Sequence, residues 1–355
     1  MSFDKFDPKY ISFLDQLEDS EGAHKTHLND KVLIVDGLNT FIRAFAVNPA
    51  INDDGLHIGG LIGFLKSLRY SIDIIKPTRC IIVFDGKGGS VKRRKLYPEY
   101  KNNRKVKSKL NRNVDWGTAP TTEDESMKLQ IGRLIEYLEQ LPVTLISVDN
   151  IEADDAMAYI SKQLLVDSKM VLMSTDKDFL QLVDDRINVW SPTKKILYTP
   201  EKVKKEFGIP SHNLLIYRVL DGDKSDNING IKGAGLKSII KYINPIAEDD
   251  IFSAKDLIDY VESPPNKSKL LENIKNNLSI VKRNYLLMQL SDVDISKHIK
   301  RKLQESVNRE IPQLIKHKLQ VMFLHDKLSS QIPNFSNWMV EFIRLSRFKG
   351  LSRDK

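Results

Sequence analysis

The chain has 355 residues, 41% of them apolar, one cysteine and a formal net charge of +8, a length that suits about two domains with sizeable cores. A lone Cys80 excludes a disulfide framework and a cysteine-based metal site, and no apolar run approaches the roughly 20 residues of a membrane span. The N-terminus carries acids where a secretory leader carries bases, so a soluble, cytoplasmic protein is expected, and the positive balance favours a polyanionic partner.

Residues 1–30 are polar with short apolar patches (Tyr10, Ile11, Phe13, Leu14, Leu17) and read as an extension ahead of the fold. From residue 32 the pattern sharpens. Short two-sided apolar runs at 32–35, 81–84, 143–148 and 170–173 predict buried parallel strands. Helices are expected from Asn39 and over 58–75, and Cys80 reads as a core residue. Strands alternating with helices predict an α/β domain, a mostly parallel central sheet with helices on both faces.

Each run delivers acid at its end: Asp36, Asp85, Glu152-Ala153-Asp154-Asp155 and Asp176-Lys177-Asp178. Singly, such residues are ordinary turn or N-cap signals. Open α/β sheets bind ligands at the carboxyl ends of their strands, and four acid-tipped strands meeting there repel one another unless cations lie between them. Oxygen-only donors without His or Cys point to Mg²⁺ or Mn²⁺ rather than zinc. One geometric conflict is visible. On a regular helix Glu152 and Asp155 lie about 60° apart, but Glu152 and Asp154 about 160° apart, so the three cannot face one ion unless the segment is irregular or some act through water.

Between Ser90 and Asn113 lie ten lysines and arginines, among them Arg93, Lys101 and Arg104, with Glu99 as the lone acid and Tyr97 and Tyr100 interleaved. An isolated run of this kind is a solvated charged face. Following Asp85, it is expected to border the site, with the tyrosines suited to stacking on bases. Downstream, Asp221-Gly222-Asp223-Lys224-Ser225-Asp226 fails as a calcium loop, because Asp226 stands where glycine is needed and Lys232 where glutamate is needed. The next residues, 228–239, form a glycine-punctuated hairpin opening a helix. Gly233 and Gly235 would allow close approach of a nucleic-acid backbone, with Lys232 and Lys237 adding charge; a plain helix–turn–helix corner is the alternative. Amphipathic segments follow at 254–262 and 267–291, parted by Ser263-Pro264-Pro265-Asn266. The tail from about 306 mixes apolar and basic residues (Leu319, Met322, Phe323, Trp338, Phe342) and reads as a helix pair packing on the body.

Taken together and in order, Ile34-Val35-Asp36-Gly37-Leu38-Asn39, Val83-Phe84-Asp85-Gly86, Pro98-Glu99-Tyr100-Lys101-Asn102-Asn103-Arg104, Glu152-Ala153-Asp154-Asp155, Ser174-Thr175-Asp176-Lys177-Asp178, Gly222-Asp223-Lys224-Ser225-Asp226-Asn227 and Gly230-Ile231-Lys232-Gly233-Ala234-Gly235 resemble the 5′-nuclease (flap endonuclease) family. The likeness is strongest to its bacterial-virus branch, which includes a ribonuclease H that removes RNA primers, and it covers about residues 31–290. The resemblance implies a PIN-like α/β nuclease domain over 31–205, with a basic arch at about 88–125, whose charge and Lys/Asn content predict mobility without DNA. It further implies a helical domain over 206–300 carrying a helix-hairpin-helix, and leaves 301–355 as a helical tail. By the same resemblance Asp36, Asp85, Glu152 and Asp154 surround a first Mg²⁺. Asp176, Asp178 and Asp223 surround a second, Asp155 and Asp226 act in outer or bridging roles, and Mn²⁺ can substitute. Arg43, Arg93 and Lys101 contact the scissile or nearby phosphates; Tyr100, Arg104, Lys232, Gly233, Gly235 and Lys237 bind DNA; and K⁺ is allowed at the hairpin. Asp149 and Asp221 fall outside the motifs and read as turn residues.

The implied activity is 5′→3′ exonuclease and flap-endonuclease cleavage of branched DNA and RNA–DNA duplexes by a monomer. A single-strand DNA-binding protein or sliding clamp is an allowed partner, although no clamp-binding pattern is present. Two rivals stay open: an RNA-cleaving toxin of the related small α/β fold would lack the hairpin and basic stretch, and a non-catalytic junction-binding protein would not need the acids.

Overall fold

A computed structural model describes residues 27–105 and 109–351, without the side chains of Arg104 and Lys105; most of the predicted extension therefore lies outside the described residues. Six apolar runs form the main sheet: β1 (Lys31–Asp36), β2 (Arg79–Asp85), β3 (Thr144–Val148), β4 (Lys169–Met173), β5 (Ile187–Ser191) and β6 (Ile196–Tyr198). Their spatial order is β3-β2-β1-β4-β5-β6. The first five are parallel and only β6 runs antiparallel. Strands β5 and β6 escape the sequence pattern because Asn188 and Ser191 break the apolar run and a tight turn at Pro192–Lys195 joins them.

The helices, in chain order, are α1 (Gly37–Val47), α2 (Gly59–Ile75), α3 (Val91–Leu96), α4 (Glu123–Leu138), α5 (Ala153–Tyr159), α6 (Pro200–Phe207) and α7 (Leu214–Asp221). A two-stranded ribbon, β7 (Gly222–Asp223) with β8 (Ile228–Asn229), precedes α8 (Leu236–Tyr242), α9 (Ala254–Glu262), α10 (Lys269–Asn276) and α11 (Leu278–Met288). The chain ends with α12 (Lys297–Val307), α13 (Lys316–His325) and α14 (Phe335–Ser346). The stretch 267–291, expected as one amphipathic segment, is two helices parted at Asn277, and α12 runs across residue 300.

Strand alternation divides the core in two, because successive side chains leave opposite faces of a sheet. Val32, Ile34, Ile81, Val83, Met170 and Leu172 join one cluster with α5 and the helices of residues 203–307. Leu33, Val35, Cys80, Ile82, Val171 and Met173 join the other, with α1, α2, α4 and the C-terminal helices. Both sheet faces are thus covered, as parallel sheets require. Leu319, Met322, Phe323, Trp338, Met339, Phe342 and Leu345 are all buried in the second cluster, and Arg344 donates to the carbonyls of Ile72 and Pro77 at the end of α2. The apolar tail is a core element, which withdraws those residues from partner binding.

Chain order runs outward from β1 to β3 on one side and from β4 onward on the other. The reversal lies between β1 and β4, the place where such sheets open a crevice at their carboxyl edge. Asp36 ends β1, and Ser174-Thr175-Asp176 follow β4.

Candidate active site

The buried carboxylate of Asp36 caps α1, accepting from the amide of Asn39 at 3.0 Å and from the hydroxyl of Ser174 at 3.1 Å. Asn39 in turn accepts from the amide and hydroxyl of Thr175, so β1 and β4 are tied across the crevice. Asp85, at the end of β2, accepts from the first amide of α5, Ala153, at 2.7 Å. Asp176 caps the 3₁₀ turn that carries Asp178, accepting from its amide at 2.8 Å.

The conflict over Glu152 is resolved by where the helix begins. Glu152 is the N-cap of α5, with extended backbone at φ −78° and ψ 155°, so its side chain is off the helical wheel while Asp154 and Asp155 occupy the first turn. Glu152 is only 3% exposed. Asp149 sits in a turn, as expected, and accepts from the amide of Lys87, whereas Asp221 is the last residue of α7, accepts from the hydroxyl of Tyr217 and lines the groove described below.

Three basic side chains are threaded through the acids. Arg93 donates to Glu152 at 2.5 Å and forks onto Asp155 with two 2.7 Å bonds. Lys101 reaches Glu152 at 2.6 Å and stands 3.8 Å from Asp226. Its backbone lies in the left-handed region, φ 56°, a strained state for a non-glycine residue. The Lys101 amide holds it there by donating to the carbonyl of Asp226, with Asn227 donating to the carbonyl of Glu99. Arg218, on α7, forks onto Asp178 and Asp223. Among the described residues no three carboxylates are drawn together closely enough to hold one ion; basic partners take that place instead.

Burial and crowding set the proton affinities. Burial pushes Asp36 up to about 7, with the Asn39 amide pulling the other way and the charges of Asp85 and Asp176 adding to the rise. Burial and then the charge of Asp176 push Asp178 up to about 7, against the pull of Arg218. Asp154 is raised well above the carboxylate range by burial and by Asp36 and Asp176, and Asp176 is raised chiefly by burial. Glu152 goes the other way: burial opposes ionisation, but Arg93 and Lys101 together hold its carboxyl low. Asp223 also stays low, because its bonds to Ser225 and Arg218 outweigh burial.

Tyr100 departs from expectation. It is 3% exposed, and its hydroxyl donates toward Glu152 at 3.2 Å and Asp226 at 3.1 Å, so it positions acids and cannot stack on bases. Tyr97 lies under the Arg283 guanidinium, 4.2 Å from its centroid. Arg104 has no described side chain. Arg43 is exposed on α1 and lines a groove of 1840 Å³ with Asp36, Asp85, Lys101, Asp154, Asp176, Arg218 and Asp223, larger than the roughly 300–1,000 Å³ of small-molecule pockets. Lys232, Gly233, Gly235 and Lys237 stand exposed at the hairpin, outside that groove.

The return limb of the basic stretch is docked, contrary to the expectation of a free arch. Asn111 is fully buried and donates to the carbonyls of Phe45 and Asn48 at the end of α1. Trp116 stacks on Phe45, and Glu123 accepts from the amides of Leu110 and Asn111. Sequence reasoning missed this anchor, because asparagine carries no periodic signal. It also missed Arg218, for which a hint existed: one cation inside the apolar run Leu214–Leu220, just before an acid cluster.

Acid-tipped parallel strands meeting at a sheet reversal, with cations interleaved and a basic limb alongside, define an α/β nuclease. Residues 31–208, half of the chain, match the 5′-3′ exonuclease N-terminal, resolvase-like domain, and the chain belongs to this 5′-3′ exonuclease family. It is 32% identical over 212 residues to a 5′-3′ exonuclease of Aquifex aeolicus, covering 59% of this chain and 68% of that one. It is 28% identical to a 5′-3′ exonuclease of Buchnera aphidicola, covering 77% and 91%. It also matches DNA polymerase I of Bacillus subtilis at 29% identity, covering 75% of this chain but 29% of the polymerase. Among solved structures, the bacteriophage T5 D15 flap endonuclease in complex with DNA and metal ions shares the fold, at TM-score 0.60 and 22% identity over 84% of this chain and 99% of that one. Among the described residues no helix is long and apolar enough to cross a membrane.

Proposed function

We propose that this 5′-nuclease is a divalent-metal-dependent, structure-specific enzyme that removes 5′ flaps and RNA primers from branched DNA and RNA–DNA duplexes in the cytoplasm. The observation that carries the reading is the convergence on one crevice of acids from β1, β2, α5, the turn after β4 and β7: Asp36 and Glu152 are buried, Asp154, Asp176, Asp178 and Asp223 half-buried, and Asp85 exposed. The donor chemistry fits a hard cation, carboxylates only; with basic partners seated among them, no three among the described residues are drawn close enough to hold one ion in this arrangement, so an ion would enter as Arg93 and Lys101 turn to phosphate. Asp36, Asp85, Glu152 and Asp154 would hold one Mg²⁺ and Asp176, Asp178 and Asp223 another, with Asp155 and Asp226 behind them. Mn²⁺ would substitute, and the likeness to hairpin-bearing nucleases extends the reading to K⁺ at residues 230–235. Bound there, such ions supply an activated water and stabilise the leaving oxygen of a phosphodiester.

The chain's own residues do the rest. Arg93 and Lys101 neutralise Glu152 and Asp155 while the crevice is empty of phosphate. Released from those acids, they present charge to the phosphoryl oxygens, where electrostatic stabilisation has most effect. Lys101 is aimed by its left-handed backbone, and Tyr100 keeps Glu152 and Asp226 oriented. Arg43 meets the strand along the groove. Lys232 and Lys237 grip the duplex backbone without reading sequence, so substrate choice follows shape.

The test is cleavage of 5′-labelled flap, nicked-duplex and RNA–DNA substrates with Mg²⁺, with Mn²⁺ and with EDTA. Asp85→Asn should bind the flap in Ca²⁺ at least as well as the parent and lose more than about 100-fold in single-turnover rate. Full activity in EDTA, or near-parental cleavage by Asp85→Asn, would overturn the reading.

A further inference from the structure

Helix α7 is apolar along Leu214, Leu215, Ile216, Val219 and Leu220, all buried, and carries one cation among them, Arg218. Its side chain is 8% exposed. Nε donates to Asp178 at 2.9 Å, one terminal nitrogen to Asp223 at 2.5 Å, and the other faces the carbonyl of Gly222 at 3.4 Å. A guanidinium buried alone is very costly, and two carboxylates left facing each other are costly too; paired, each offsets the other. The planar fork suits this task in a way that a lysine ammonium does not, because it engages two acids at set angles.

Among the described residues, the three cations bonded to these acids are not equivalent. Arg93 and Lys101 belong to the basic limb, on α3 and the turn after it, and Arg93 is held there by the carbonyl of Leu287 as well as by acids. Arg218 springs from a helix whose neighbours are core residues, so its backbone cannot withdraw and its charge stays within reach of Asp178 and Asp223 whatever binds.

We propose that Arg218 is a resident counter-ion that sets the order of metal binding. It holds Asp178 and Asp223 together in the DNA-free enzyme and weakens that site for a divalent cation, so the ion at Asp36, Asp85, Glu152 and Asp154 binds first. The second ion becomes favourable when a substrate phosphate adds negative charge to the crevice. Arg218 is therefore a positioning residue acting through Asp178 and Asp223, and the inference rests on the metal reading above.

The experiment counts Mn²⁺ bound to the DNA-free protein by electron paramagnetic resonance, with thermal melts in EDTA and in Mn²⁺. The parent should bind one ion tightly and a second at least about tenfold more weakly, the scale expected from one nearby like charge. In Arg218→Gln the two affinities should come within about threefold of each other, and the melting temperature lost in EDTA should return on adding Mn²⁺. Arg218→Lys, which keeps the charge without the fork, should fall between them, and it carries the same test if the Gln variant does not fold. An unchanged two-affinity profile in the variants, or a stability loss that no divalent ion recovers, would make Arg218 a structural pair only and sink the proposal. A parent that binds no Mn²⁺ at all would remove the metal reading itself, which separates the two failures.

Discussion

Asp36 and Asp178 are raised to about 7 inside the fold, against about 3.9 in an unfolded chain. Between those values the native state holds protons that the unfolded chain has released. Their contribution to stability is therefore fully present below about pH 4 and is lost as pH rises through 7. Glu152 and Asp223, held low, contribute stability that is present above the ordinary carboxylate range and is lost only on acidification. A divalent ion held as proposed would bind the deprotonated acids and relieve the repulsion that neutral pH creates. The rise in melting temperature on adding Mg²⁺ should thus be clearly larger at pH 8 than at pH 5.5, read by scanning fluorimetry. An equal rise at both values would show that these acids are not where the ion binds.

At the scale of elements, the ribbon and hairpin of residues 222–235 couple the acids to the exposed lysines. Gly222 and Gly230 are required where the strands cross: a Cβ on Gly230 would lie 2.1 Å from the carbonyl oxygen of Asp221. Asn284 braces the ribbon from α11, donating to the carbonyls of Val219 and Asn229, and Asn273 on α10 donates to the carbonyl of Lys232. The turn is therefore held from behind while Gly233, at φ +88° with open space around it, faces outward. Replacing Lys232 and Lys237 together with alanine should weaken duplex binding for every sequence alike. The slope of log affinity against log salt should fall by about 2, since each lysine neutralises one phosphate and displaces its counterion. An unchanged slope in a salt titration would leave the hairpin as a corner of the fold and nothing more.

For the whole molecule, the parallel sheet needs cover on both faces, and the C-terminal half of the chain contributes to both. Residues 203–307 close one face, and α13 and α14 help close the other over α2 and α4. Phe342, fully buried beside Trp338, stands at the centre of that second closure. Phe342→Ala should cost about 3–5 kcal/mol of folding stability, measured by urea denaturation, with cleavage per folded molecule retained because α14 places no side chain in the crevice. A cost under about 1 kcal/mol would mean that the tail contributes little to the core.

Strands β1 to β4, their acid endings and the hairpin were legible in the sequence, because each is written in neighbouring residues: two-sided apolar runs, Asp-Gly turns, glycine spacing. The family likeness followed from the same local motifs taken in order. Tertiary structure alone decided which charges meet. Arg93 and Glu152 are 59 positions apart and Arg218 and Asp178 are 40 apart, and no local pattern specifies such pairs. It also decided that Tyr100 turns inward to the acids, that Asn111 docks the basic limb on α1, and that an apolar tail becomes core. Helix and strand periodicity record which face of an element is buried. Which cation neutralises which buried acid depends on how faces from distant segments pack, and that is settled only when the sheet closes and desolvation makes every unpaired charge costly.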